Sequence, residues 1–243
     1  MPTMPPRGSR RARQDEAPRP RRAVGRPPAA VSADTRDRIL AAARRCFSRF
    51  GYAKTTNKDI ANEAGITTGA IYHYFASKQE LFGATAREVQ RVVLEEFEEA
   101  IAGQDAFTDR VRALLDRSVR LHADDPWLAR FVSIEPVELT RHTELRTIVG
   151  EGQRGVFRFF VSLATDARDR GELADGVEPL AVANMLVATT MGLALFAAVV
   201  DDNARHRGAT EAFEDLVTGS LLTPPKDGRR KRLGRRSSLA VAR

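Results

Sequence analysis

The sequence has little that could cross-link a fold, since its 243 residues include a single cysteine, Cys46, and only 7% aromatic residues. One cysteine excludes an intramolecular disulfide and a zinc site built from several cysteines. The shortage of aromatic residues disfavours an aromatic-rich all-β protein. No apolar stretch follows the Arg-rich N-terminus, so we expect no secretory signal and a cytoplasmic, nucleoid-associated protein.

Charged side chains are missing from residues 179–200, a run that is long enough to span a membrane. Asn184, Thr189 and Thr190 interrupt this run, and many of its other residues are alanine. A helix that is apolar on all sides is equally well explained by burial in a protein core or in a dimer interface. We therefore expect a buried helix and no membrane partner.

The net charge of +7 is distributed unevenly. Residues 1–31 contribute +6 and residues 224–243 contribute +7, whereas residues 32–82 contribute +3 and residues 83–223 contribute −9. Such asymmetry indicates a polyanionic partner, either nucleic acid or a membrane surface. The two terminal segments lack apolar periodicity, so we predict a disordered basic arm and a disordered basic tail.

Between these segments the apolar residues recur at helical spacing, without a convincing pair of strands, which predicts an all-α fold. A first helix runs to Gly51, and a long amphipathic helix begins near Leu81 and ends near Gly103. Five further helices are predicted, over residues 107–123, 126–140, 143–170, 178–200 and 210–222.

Capping signals divide the segment between the first helix and the long helix. Thr56 and Asp59 have the spacing of a capping box, and Gly65 supplies a turn after the helix that they open. Thr67 then caps a second short helix, and Ser77 caps the long one. Two short helices around a glycine-containing turn predict a helix-turn-helix unit, whose second helix enters the major groove of DNA.

Residues Thr35–Phe82 resemble the DNA-binding domain of the TetR family of bacterial transcriptional regulators. The matching residues, in order, are Ile39, Leu40, Ala42, Ala43, Phe47, Gly51, Tyr52, Thr55, Thr56, Ile60, Ala61, Ala64, Gly65, Gly69, Tyr72, Phe75, Lys78 and Leu81. Asn57 departs from the pattern, because the family usually has an apolar residue there.

The resemblance implies about nine helices, three in a DNA-binding head (32–82) and six in an effector-binding and dimerisation body (83–223). It implies a homodimer that binds a palindromic double-stranded DNA operator, and we expect a repressor that a small-molecule effector releases. A ligand-blind or architectural DNA-binding protein that uses its basic tails is the alternative.

Eight residues are predicted to contact DNA. In the family, Tyr72 and His73 lie on the recognition helix, and Arg26 resembles the core of a minor-groove hook. Lys78 lies in the first turn of a helix, where a cation is unfavourable unless a phosphate is near. The full set is Thr56, Lys58, Thr67, Thr68, Tyr72, His73, Lys78 and Arg26.

Two further sets of residues are predicted in the body. The effector-binding candidates, for which core packing is an equally good explanation, are Phe97, Leu115, Trp127, Phe131, Phe157 and Phe160. The dimer-interface candidates, on the two C-terminal helices, are Met185, Thr189, Leu193, Phe196, Phe213 and Leu216.

Enzymatic and cofactor signals are weak. Residues 150–155 fit the GxGxxG pattern, but they lie in a predicted helix, whereas a dinucleotide site needs a preceding strand. We interpret these glycines as a weak point or a close packing site beside the effector cavity. No GxSxG motif occurs, and we expect no catalytic residue, no cofactor and no metal.

Overall fold

The computed structural model describes residues 28–200, 202–219 and 221, and their side chains except those of 28–32 and 151–153. This part of the chain is all-α, with nine helices and no strand, which confirms the predicted fold class. The helices are α1 (Pro28–Lys54), α2 (Asn57–Ala64), α3 (Thr68–Tyr72), α4 (Lys78–Ile101), α5 (Phe107–Asp124), α6 (Pro126–Arg141), α7 (Thr143–Asp169), α8 (Pro179–Val200) and α9 (Asn203–Thr218).

Two predicted boundaries are wrong. Helix α1 begins at Pro28, inside the segment predicted as a disordered arm. Proline suits the first turn of a helix, where its missing N–H is not needed. Helix α9 begins at Asn203 instead of residue 210, because the Asp202 carboxylate accepts hydrogen bonds from two backbone N–H groups at the helix start.

Local capping fixes the two short helices as predicted. The Thr56 hydroxyl accepts from the Asp59 N–H, and the Asp59 carboxylate accepts from the Thr56 N–H, which completes the capping box. Gly65 ends α2 with a φ of 65°, a conformation that favours glycine. Thr67 and Ser77 cap α3 and α4 in the same way.

Gly51 interrupts α1, as predicted, with a φ of 74°. A Cβ atom at this position would also lie 2.8 Å from Oε1 of Glu138 on α6. The turn at the end of the first helix therefore packs directly against the body.

The first of two hydrophobic cores crosses the predicted boundary between head and body. The ring of Phe82 lies 5.0 Å from that of Phe47 on α1 and 5.5 Å from that of Phe131 on α6. The Arg44 guanidinium on α1 also pairs with the Asp125 carboxylate at 2.5 Å, just before α6. The head thus shares its core with the first part of the body.

Helix α4 runs from the head into the body and crosses α7 closely. A Cβ atom at Gly83 would overlap with Cγ2 of Ile148, so only glycine allows this approach. Further along, Phe97 belongs to the second core, which lies wholly within the body.

Helix α8 is long and apolar enough to cross a membrane by length and composition alone, a test that core helices of soluble proteins also pass. In the single chain, Leu186 and Ala197 are buried, whereas Leu195 is 52% and Val199 74% exposed. One subunit therefore buries α8 only in part, and burial of its exposed residues in a dimer interface stays a prediction.

Candidate functional site

Helix α3 and the residues just after it have one side buried in the first core and another side exposed to solvent. Ile71 and Phe75 are buried in the first core, whereas Tyr72 is 56% exposed and His73 is exposed at the end of the helix. This exposure disfavours a mainly packing role for Tyr72. The helix therefore presents an aromatic hydroxyl and an imidazole to solvent.

The other predicted DNA contacts have mixed environments. Lys58 is exposed on α2, and Thr68 is half-buried at the start of α3. The hydroxyls of Thr56 and Thr67 already accept capping hydrogen bonds, although both residues remain exposed. Arg26 lies outside the described residues.

Thr56 also lowers the pKa of Asp59. Its hydroxyl and its N–H both hydrogen-bond the Asp59 carboxylate and hold the pKa of that group below its ordinary value. Beside it, Oδ1 of Asn57 is buried without a hydrogen bond. This polar atom marks the position at which the sequence departs from the family pattern.

Lys78 has a different partner from the predicted phosphate. Its Nζ atom donates to the carbonyl oxygens of Tyr52 at 2.9 Å, Thr55 at 3.0 Å and Ala53 at 3.3 Å, and lies 4.4 Å from the centre of the Tyr52 ring. An ammonium group has three donors, and the end of α1 engages all of them. In the free protein, the carbonyls and the ring face stabilise the cation, and its contact with a phosphate stays a prediction.

A cavity of about 590 Å³ lies in the body and receives side chains from α4 to α9. Of the six effector-binding candidates, Phe97, Phe157 and Phe160 line it. Gly150 also lines it, which confirms that the glycine-rich stretch of α7 lies beside the cavity. Residues 150–155 lie within a helix, so they lack the strand that a dinucleotide site needs.

The other three candidates do not line the cavity. At about 100° per residue, Trp127 and Phe131 fall outside the arc of α6 that faces it. Phe131 packs on Phe82, and the Trp127 carbonyl accepts from Ser48 on α1. Leu115 is buried in the second core, one turn before Ser118, the first α5 residue on the cavity wall.

Sequence reasoning missed most polar groups of the cavity. Gln90 on α4 donates from Nε2 to Oε1 of Glu135 on α6 at 2.7 Å, and both side chains are buried. Burial raises the pKa of Glu135 to about 8, although the hydrogen bond from Gln90 opposes this shift. Glu135 is therefore mainly a neutral acid at pH 7.

Two histidines complete the polar part of the wall. His206 on α9 and His122 on α5 are buried, with their rings edge to face and 5.3 Å apart. Burial, with smaller contributions from His122 and Arg207, lowers the pKa of His206. The signal in the sequence was a polar residue on an apolar helix face, as with Gln90 beside Val89 and Val93.

The family model for "Bacterial regulatory proteins, tetR family" matches residues 39–85, which span α2, α3 and their packing partners. Residues 39–85 therefore belong to a DNA-binding domain of the TetR family of bacterial transcriptional regulators, which confirms the predicted resemblance.

Relatives and solved structures of regulators extend this similarity over both head and body. The transcriptional regulator UidR of Escherichia coli K12 is 24% identical over 187 residues, which cover 77% of this chain and 93% of UidR. The transcriptional repressor AcnR of Corynebacterium efficiens is 28% identical over 197 residues, with coverage of 79% and 94%. The structure of FadR from Bacillus subtilis, in complex with stearoyl-CoA, superposes with a TM-score of 0.67 at 21% identity, covering 76% and 99%. The chain therefore shares its fold with FadR.

The predicted dimer residues lie in three different environments within the single chain. Met185 on α8 and Leu216 on α9 are exposed. Thr189 and Phe196 are half-buried, whereas Leu193 and Phe213 pack against the second core of their own subunit. The exposed face of α8 instead includes Leu195 and Val199.

Proposed function

We propose that this TetR-family regulator is a homodimeric repressor, which a small molecule in the body cavity releases from a palindromic operator. One observation carries the proposal: helix α4 begins a few residues after the recognition helix α3 ends, and it continues along the cavity wall through Val89, Gln90, Val93 and Phe97. A single helix thus connects the head to the cavity.

On DNA, α3 lies in the major groove and presents Tyr72 and His73 to base edges or phosphates. The hydroxyl residues at its start, the exposed Thr67 and the half-buried Thr68, lie near the backbone N–H groups that bind phosphate at helix N-termini. Lys58 on α2 adds a phosphate contact. The head, 32–82, recognises the DNA sequence, although its hydrophobic core continues into the body.

The dimer forms through α8 and α9. The exposed apolar side chains Met185, Leu195, Val199 and Leu216 are those that a second copy covers. Burial of apolar surface contributes about 25 cal/mol per Å². A two-fold axis in this region places the two α3 helices on equivalent half-sites of a palindrome.

The effector acts by favouring an arrangement in which the two heads no longer match the half-sites. Binding linkage makes the effect reciprocal, so the operator lowers effector affinity by the same factor. The stearoyl-CoA in the FadR structure is one ligand type that this fold accommodates. The body, 83–223, holds both the cavity and the dimer surface, and the protein acts in the cytoplasm on the nucleoid.

An electrophoretic mobility shift with the DNA upstream of the protein's own gene tests the proposal. We expect a discrete complex that a scrambled duplex does not compete away, and a metabolite panel should contain compounds that dissolve it. If the protein binds no upstream fragment specifically, the proposal that it recognises an operator is contradicted.

The ligand-blind or architectural alternative rests on the strongly basic segments 1–31 and 224–243. Of these, residues 1–27 and 224–243 lie outside the described residues. Flexible cations add affinity that depends on salt and not on sequence. If the chain binds operator and scrambled DNA equally, and no panel compound changes either affinity, this alternative is favoured.

A further inference from the structure

The cavity contains buried polar atoms that no protein group satisfies. His206 is 2% exposed, and neither of its ring nitrogens has a hydrogen-bond partner. On the α4 wall, Oε1 of Gln90 is buried and also lacks a partner. A buried polar atom without a hydrogen bond destabilises the folded protein. Such atoms are expected where a ligand supplies the missing hydrogen bonds.

The interior of the cavity is close to uncharged at neutral pH. Glu135 is held largely protonated by burial, and burial also favours the neutral form of the His206 imidazole. Among the described residues that line the cavity, Arg154 is the one permanent charge, and its side chain is exposed. A cationic ligand would have to ionise Glu135, so the interior favours an uncharged ligand.

The remaining wall is mainly apolar and limits the ligand's size. It includes Val93, Phe97, Phe160, Val187 and Met191. A water molecule takes up about 30 Å³ of liquid, so the cavity has room for on the order of 20 non-hydrogen atoms. This size corresponds to a small lipophilic compound.

We propose that the effector is an uncharged, mostly apolar molecule of this size that carries at least one hydroxyl group, which hydrogen-bonds His206. A neutral imidazole has one donor and one acceptor, and a hydroxyl can serve as partner for either. The open Oε1 atom of Gln90 accepts from a second donor on the ligand. This inference rests on the proposed function, because it specifies the class of molecule that occupies the effector cavity.

Four compounds that share one alkyl chain test the polar group separately from the chain. They are 1-dodecanol, its isomer methyl undecyl ether, dodecanoate and dodecylammonium, each competing with the neutral fluorescent probe N-phenyl-1-naphthylamine on the full-length dimer. We expect saturable probe binding and a dissociation constant for dodecanol about tenfold below that of the ether, which cannot donate a hydrogen bond. The two ions should compete less well than dodecanol.

Variants assign the preference to His206. His206→Leu should reduce the dodecanol-to-ether preference to within about twofold, whereas His206→Gln, which keeps a donor and an acceptor, should retain most of it. The matched control Met191→Leu changes an apolar wall residue and should leave the preference intact. Arg154→Met tests separately, with dodecanoate, whether the exposed charge attracts an anionic group. Sedimentation confirms that each variant remains a folded dimer.

Several outcomes overturn this inference while leaving the proposed function intact. Tighter binding of dodecanoate that Arg154→Met abolishes would place the polar group at the exposed arginine. Tighter binding of dodecylammonium would make Glu135 an ionised counter-ion. Failure of the probe and all four compounds to bind a dimer that still shifts its operator would exclude the ligand class. Failure of specific operator binding would instead contradict the proposed function.

Discussion

Helix α4 carries two polar side chains, one in the head and one in the body, whose hydrogen bonding differs. At its start, the Lys78 ammonium donates to three carbonyl oxygens and packs on the Tyr52 ring. Twelve residues later, Gln90 makes one hydrogen bond to Glu135 and leaves its Oε1 atom without a partner. The Lys78 ammonium is thus fully paired, whereas the Gln90 amide is only partly paired.

This contrast distinguishes the structural role of Lys78 in the head from the ligand-binding role that we propose for the cavity. The helix-turn-helix unit is fixed by hydrogen bonds in which the Thr56 and Thr67 hydroxyls accept from backbone N–H groups and the Lys78 ammonium donates to backbone carbonyls, so α3 has a defined position in the free protein. The cavity keeps unpaired groups where a ligand can reach them. Buried polar networks that are satisfied specify one structure, whereas unsatisfied ones favour any partner that completes them.

The largest effect is expected from the exposed apolar face of the body. Leu195→Glu should give monomers by sedimentation, because burying a charge at an apolar contact is costly. Loss of the second head should lower operator affinity by about 100- to 10,000-fold. Val137→Glu, which also replaces an exposed apolar residue but on α6, is the control and should remain dimeric. A dimeric Leu195→Glu variant would place the interface elsewhere.

Replacing the buried acid should change how stability depends on pH. Between the ordinary pKa of 4.5 and the raised value of about 8, the unfolded chain releases the Glu135 proton while the folded chain keeps it. The free energy of unfolding therefore falls by about 1.4 kcal/mol per pH unit as pH rises, and levels off above about pH 8.

Glu135→Gln removes this contribution and keeps the side-chain shape. Urea denaturation at about pH 5 and about pH 7 should show the variant gaining about 2–3 kcal/mol relative to the natural chain over this interval. Subtracting the two chains cancels the contributions of other titrating groups, including His206. An equal pH dependence in both chains would show that Glu135 ionises normally.

In the head, removing an exposed aromatic should affect DNA and not the fold. Tyr72→Ala should lower operator affinity by about 10- to 100-fold, the range for one good contact to DNA. Its stability should change by less than about 0.5 kcal/mol, because the side chain is exposed. Phe50→Ala, which removes another exposed aromatic but from α1, is the control. Unchanged operator affinity in Tyr72→Ala would show that Tyr72 does not contact the operator.

The head was predictable from sequence because its signals are local. The Thr56 capping box and the Gly65 turn each involve residues within a few positions of one another, and the structure has both. The cavity depends on residues far apart in the chain, such as Gln90, Glu135 and His206, so only the phase of each helix and their packing bring them together. Phe97 and Phe160 were found because aromatic residues suit either a core or a cavity.

The dimer face was less predictable for a different reason. Helix α8 is apolar on every side, so its sequence does not indicate which face packs inward. Within one subunit Leu193 is half-buried against the second core, whereas Leu195 is exposed, and the place of either residue in the interface stays a prediction. The Trp127 prediction failed because size and polarity do not reveal that α1 lies against the start of α6.

The smallest effect is expected from replacing Lys78. This variant shows whether the side chain stabilises the free head or contacts DNA. Lys78→Met keeps much of the side chain's length but removes the charge and all three donors. If the cation mainly pairs with the carbonyls at the end of α1, the variant should lose about 1–2 kcal/mol of stability without any DNA present. Urea denaturation of the free protein measures this loss.

A phosphate contact predicts a different pattern, which makes the comparison decisive. Loss of a phosphate contact leaves the stability of the free protein unchanged and reduces the slope of log affinity against log salt by about one. Lys58→Met is the control, because Lys58 is exposed on α2 and should show that pattern. We expect Lys78→Met to destabilise the free head and to change the salt slope less than Lys58→Met does. The reverse result would mean that Lys78 leaves the α1 carbonyls when DNA binds.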